Sequence, residues 1–136
     1  MLKELTISNY ALIDYLKVDL TQGFTSITGE TGAGKSILLG GLSLALGKRA
    51  DQNLVKDKTK KCFVDLLFSI TNLNLKNLFD SLDIDYDSFT TVRREIIPSG
   101  KSRAFINDTP VNLETLQKIS YELIDIHSQF QNHFII

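Results

Sequence analysis

The chain has 136 residues, 43% hydrophobic and 23% charged, enough to bury one ordinary globular core. A formal net charge of -1 argues against an overall basic surface for nucleic acid, leaving only local patches, and one cysteine, Cys62, excludes an internal disulfide or a cysteine-rich metal site. No secretory leader pattern and no apolar run of membrane-spanning length is present, so the expectation is a soluble protein of a reducing cytosol.

Met1 to Leu20 reads as a hairpin. Leu5, Ile7 and Tyr10 alternate with Thr6 and Ser8, then Leu16, Val18 and Leu20 with Lys17 and Asp19, and Asn9 to Tyr15 bends the chain back. Gln22-Gly23 turns into a short strand, Phe24 to Thr28, rich in β-branched and aromatic residues. The next stretch, Gly29-Glu30-Thr31-Gly32-Ala33-Gly34-Lys35-Ser36, satisfies G-x-x-x-x-G-K-[ST], the phosphate-binding P-loop. Ile37 to Leu46 then suits a buried helix, so strand, glycine-rich turn and helix follow in the order that phosphate binding needs.

The residue types explain themselves chemically. A triphosphate needs several donors at close range, and Gly29, Gly32 and Gly34 are expected to take positive φ and bring backbone N–H groups against it. A helix opening near Lys35 adds unpaired N–H groups and a positive dipole end. Lys35 is expected to reach the β- and γ-phosphates, and the Ser36 hydroxyl to ligate Mg²⁺. Six of the eight glycines lie between Gly29 and Gly47. Gly40-Gly41 should cost the helix about 1 kcal/mol per glycine, offset by close packing on a sheet. Gly47 fits a C-terminal cap, with Lys48 and Arg49 near the negative helix end.

Asp51 to Lys61 reads as a solvated loop and Lys61 to Ile70 as a strand covered on both faces for much of its length. Asn72 to Asp87 suggests a short helix around Leu75, Leu78, Phe79 and Leu82, then an acidic loop with Asp83, Asp85 and Asp87 that lacks the glycine and glutamate of a calcium loop. Phe89 to Ile97 and Ser102 to Asn107 form a hairpin around Pro98-Ser99-Gly100-Lys101, a type I turn with a bulge. Its Arg93, Arg94, Lys101 and Arg103 either touch a nucleic-acid backbone or form a solvated outer face. Asn107 to Pro110 is a second turn, and Asn112 caps a helix with the stripe Leu113, Leu116 and Ile119. Leu123 to His127 reads as a strand and Ser128 to His133 as a polar loop; the apolar finish Phe134-Ile135-Ile136 looks like a cut.

A complete P-loop ATPase needs a second acidic element at a strand end. Asp125 in Leu123-Ile124-Asp125 lies in too short an apolar run, with Ile126 where Glu is usual, and no LSGGQ-like segment is present. His127 and His133 are too few for a zinc site. Phosphate binding is encoded; a full hydrolytic machine is not.

Three groups of segments together are similar to the RecN family, SMC-like ATPases of bacterial double-strand-break repair. They are Ile7 to Asp14, the run Thr28 to Leu38, and Leu46-Gly47-Lys48-Arg49-Ala50-Asp51. Gly100 to Asn107 and Asp125-Ile126-His127-Ser128-Gln129 match family segments in the same order. The resemblance implies an α/β fold over residues 1–136, the N-terminal lobe of an ABC/SMC-type head. In that lobe a mixed sheet carries an antiparallel portion beside the P-loop strand and helix. It further implies ATP and Mg²⁺ as cofactors, held by Gly29, Glu30, Thr31, Gly32, Ala33, Gly34, Lys35 and Ser36. Lys35 and Gln129 would be the catalytic residues; Gln129, in the Q-loop, would sense the γ-phosphate and join Ser36 at the metal. Lys56 would lie where such heads carry a basic residue near DNA or nucleotide. A C-terminal lobe, a coiled-coil arm and a second head would complete the site, DNA would be the parent's partner, and the bacterial cytosol or nucleoid its location. The lobe alone would not hydrolyse ATP. Two other readings are a stand-alone P-loop kinase or hydrolase, which lacks an evident acceptor region and lid, and a DNA-binding or self-associating module built on the hairpin arginines and Lys56.

Overall fold

The computed structural model describes residues 2–20, 32–71 and 73–123, and of 32–35 the helical backbone alone. Strand β1 (Leu2–Tyr10) and strand β2 (Ile13–Asp19) form the expected hairpin, pairing from Glu4 opposite Asp19 to Tyr10 opposite Ile13. Its two-residue loop carries Ala11 at φ 52°. Helix α1 (Gly32–Ala45) follows, then a single 3₁₀ turn (Gln52–Leu54) and strand β3 (Cys62–Ser69). Helix α2 (Lys76–Ser81), strand β4 (Phe89–Ile96), strand β5 (Ser102–Ile106) and strand β6 (Thr109–Val111) come next. Residues 113–123 are helical and are called α3.

The strands make one sheet in the order β2-β1-β3-β4-β5-β6, with every pairing antiparallel. The P-loop strand expected at Phe24 to Thr28 lies outside the described residues. One face of the sheet is the core: Leu5 and Ile7 of β1, Cys62, Val64, Leu66 and Phe68 of β3, and Val92 and Ile96 of β4 are all buried. Strand β3 alternates strictly between buried and half-buried residues, so one face is sealed in the core and the other is partly covered. Its second face carries the half-buried Phe63, Asp65 and Leu67, the first two in contact with Arg93.

Helix α1 lies on the core face, and its mid-helix pair Gly40-Gly41 makes that approach possible. A Cβ at Gly40 would stand 2.7 Å from the Tyr10 hydroxyl, and one at Gly41 would stand 2.8 Å from Ile7 Cδ1. Gly47 ends the helix at φ 113°, with Gly47 N–H donating to Leu44 O at 3.2 Å and Lys48 N–H to Ser43 O at 3.0 Å. This is the Schellman arrangement, which satisfies the last carbonyls of a helix.

The turns follow their chemistry. Gly100 N–H donates to Ile97 O at 2.8 Å and Gly100 sits at φ 94°, the bulged type I turn that Pro98 and Gly100 suggest. The second turn is shorter than its sequence reading: Asn107 and Asp108, at φ 48° and 65°, complete it, while Thr109 and Pro110 belong to β6. Pro110 is tolerated because β6 is an edge strand in the described sheet. Asn112 Oδ1 accepts from Thr115 N–H at 2.8 Å and caps α3 as expected. Leu116, Ile119 and Leu123 form its buried face, but Leu113, in its first turn, is 37% exposed. Leu123 is helical, not the start of a strand; Ile124 to Ile136, with Asp125, His127, Gln129 and His133, lie outside the described residues.

Candidate nucleotide-binding site

The P-loop helix is the element on which the site rests. Gly29, Glu30 and Thr31 lie outside the described residues, while Gly32, Ala33, Gly34, Lys35 and Ser36 are the first five positions of α1. The helix thus opens at Gly32, three residues before the sequence places it. Gly32 and Gly34 are helical rather than left-handed. Their value there is the missing Cβ, which leaves the orphan N–H groups of a helix N-terminus open to an anion. Ser36 sits one turn in, exposed, at the mouth of a cleft of about 340 Å³.

That cleft runs along α1 from Ser36 past Ile37 and Gly40 to Lys48 and Arg49, and its opposite wall is Tyr10, Ala11 and Leu54. Tyr10 is 4% exposed, and burial, with Cys62 and Asp51 nearby, raises its phenol above the ordinary value. Cys62 itself is fully buried, which pushes its thiol up to about 11.

The wall is held by a residue that sequence reasoning passed over. Asn9 sits at φ 57°, which turns the strand so that Asn9 and Tyr10 are both buried. Its Nδ2 donates to Asp57 O at 2.8 Å and Lys60 O at 3.0 Å, and its Oδ1 accepts from Asp57 N–H at 2.7 Å. One side chain therefore ties the loop after the 3₁₀ turn to the end of β1. The available signal was an asparagine interrupting an alternating strand. Lys56, in the same loop, is paired with Asp14 at 2.6 Å.

The hairpin arginines are committed elsewhere. Arg93 pairs with Asp65 at 2.8 Å and Glu95 at 2.7 Å and lies 4.1 Å over the Phe63 ring. Arg103 reaches Glu95 at 2.8 Å and Lys61 reaches it at 3.5 Å. Burial acts to raise the Glu95 carboxyl, but the hydrogen bonds from Arg93 and Arg103 and the charge of Lys61 outweigh it, and the net shift is downward. Arg94 is 2% exposed on the opposite face. Arg94 fits neither the nucleic-acid nor the outer-face reading, whereas Arg93 and Arg103 lie on the outer face, ion-paired, and Lys101 is exposed at the turn. Among the described residues no cluster of three or more His, Cys, Asp or Glu could hold a metal ion, and no helix is long and apolar enough to cross a membrane.

The described antiparallel sheet with the P-loop helix on its inner face is similar in fold to solved SMC heads. A solved structure described as "Structural biochemistry of ATP-driven dimerization and DNA stimulated activation of SMC ATPases" superposes with a TM-score of 0.71 at 16% identity, covering 90% of this chain and 79% of that one. The SMC head domain from Thermotoga maritima gives a TM-score of 0.57 at 18% identity, covering 87% of this chain and 41% of that one. The chain belongs to the AAA domain family, whose model matches residues 4–136. It is 38% identical to the DNA repair protein RecN of Vibrio cholerae over 130 residues, 95% of this chain and 24% of that protein. With the DNA repair protein RecN of Bacillus subtilis it shares 36% over 138 residues, 100% of this chain and 24% of that protein. The chain thus spans about a quarter of the length of the curated relatives it matches.

Proposed function

We propose that this chain is the ATP-binding lobe of a RecN-like ATPase acting in DNA double-strand-break repair in the bacterial cytosol. The observation that carries the reading is the G-x-x-x-x-G-K-S run opening helix α1 on the inner face of this sheet. The residues present fit a nucleotide: a helix N-terminus built from Gly32, Ala33 and Gly34, with an exposed hydroxyl, Ser36, one turn in. Backbone N–H groups from Gly29 to Ser36 would hold the phosphates, Lys35 would neutralise the β- and γ-oxygens, and the cleft beside Ser36 would take the nucleoside. Bound Mg²⁺ would supply charge neutralisation at the phosphates, with Ser36 and Gln129 as its protein ligands. A second lobe and a second head would complete hydrolysis, and DNA would be the partner of the whole ATPase; the lobe alone hydrolyses ATP negligibly.

Calorimetric titration with Mg²⁺ and a slowly hydrolysed ATP analogue tests this, on the chain and on Lys35→Ala. Saturable binding that the substitution removes is the expected result. Equal affinity in both would refute the site, and turnover that Lys35→Ala abolishes would refute the inactivity of the lobe.

A further inference from the structure

We infer that Arg94 is the positioning residue for the P-loop: it fixes the far end of α1 to the central strand and thereby sets where Lys35 and Ser36 stand. The inference rests on the nucleotide-binding reading of that helix. Arg94 occupies the core face of β4 between Val92 and Ile96, where an apolar side chain belongs. Burying a guanidinium is costly unless its donors are matched, and removing it once matched strands its buried acceptors. Burial alone lowers its pKa. Among the described residues no carboxylate pairs with it. Its Nη1 instead donates to Leu44 O at 2.9 Å and Lys48 O at 2.8 Å, and Nη2 to Ser102 Oγ at 3.2 Å.

Those two carbonyls lie in the last turn and cap of α1, where the helix dipole favours a cation. The neighbours across the sheet, Val64 and Ala104, are small enough to let the side chain rise to the helix. A second hold comes from α3, whose Gln117 Nε2 donates to Gly47 O at 3.0 Å. The helix is thus gripped at its C-terminal end by strand and helix together. From Leu44 to Ser36 it rises about 12 Å, so a tilt of about 5° at the grip moves Ser36 by about 1 Å. A displacement of that size is enough to spoil the alignment of groups around a bound ligand.

The test compares Arg94→Met and Arg94→Lys with Ile106→Val or Ile106→Ala, whichever loses the same melting temperature from a core site away from α1. Arg94→Met should weaken Mg-ATP-analogue binding at least tenfold and Arg94→Lys should fall between it and the parent. The matched Ile106 variant should stay within twofold. Without nucleotide, amide exchange over residues 38–46 should quicken at least tenfold in Arg94→Met while β1 and β2 keep the parent's rates. Unchanged exchange in α1, or an affinity loss equal to that of the Ile106 control, would overturn the inference. Failure of the parent chain to bind nucleotide would instead count against the proposed function, and the exchange comparison would still decide the role of Arg94.

Discussion

Arg93 and Arg94 are consecutive residues of one strand, yet they meet opposite physical worlds. Arg93 faces outward, 29% exposed, and is balanced by the carboxylates of Asp65 and Glu95. Arg94 faces inward, 2% exposed, and is balanced by the carbonyls of a helix end. The first arrangement is ionic and can be titrated from its acidic side. The second uses peptide dipoles, which have no pKa, so acid does not undo the tie between β4 and α1.

Breaking the inner partnership should have the largest effect. Arg94→Met leaves two helix-end carbonyls without their donor and should lower stability by about 3 kcal/mol in urea denaturation. Glu95→Gln removes the buried charge that gathers Arg93, Arg103 and Lys61, and about 1.5 kcal/mol is expected. The same carboxylate predicts a pH asymmetry. Its folded pKa is depressed below the ordinary 4.5, so its contribution is present above that pH and is lost as pH falls through the folded value. The acid limb of stability should flatten in Glu95→Gln.

Cys62 offers the alkaline counterpart on the inner face. Its thiol, pushed up by burial from 9.0 to about 11, contributes stability in full below pH 9, which fades as pH rises towards 11. A loss on the order of 1 kcal/mol between pH 9 and 10 should vanish in Cys62→Ala, read as a difference in slope between the two proteins. Smallest of all is Arg103→Ala. Its side chain is 51% exposed, so about 0.5 kcal/mol is expected, shrinking further in 1 M salt. If Arg103→Ala matched Arg94→Met, the contrast between the two faces would be wrong.

What could be read from the sequence was local. The hairpins, the G-x-x-x-x-G-K-S run, the Gly47 and Asn112 caps and the bulged turn at Gly100 each depend on residues within a few positions of one another. The close approach at Gly40-Gly41 was legible too, since two glycines in an apolar helix ask for a packing reason. Arg94 was misread because its partners are 46 and 50 residues away, and in a strand containing Arg93, Arg94 and Glu95 charge alone does not show which side chain turns inward. Asn9 was overlooked for the same reason, since its partners begin at Asp57. Leu113 was counted with the core because helical spacing does not show how much of a first turn is covered. At the site, Lys35 and Ser36 were read from the motif, whereas the cleft wall formed by Tyr10, Ala11 and Leu54 comes from two segments that meet only in three dimensions.

Gly40 and Gly41 acquire a mechanical meaning once the helix is held at its end. A rod clamped near Leu44 and resting on Ile7 at Gly41 behaves as a lever with a very short arm on the clamped side. A single methyl at position 41 would serve as a wedge under that lever, and its thickness would be multiplied along the longer arm towards Gly32. Packing errors of a few tenths of an ångström in the middle of this helix are therefore amplified where it opens, which makes the smallest side chains in the core the ones with the tightest tolerance.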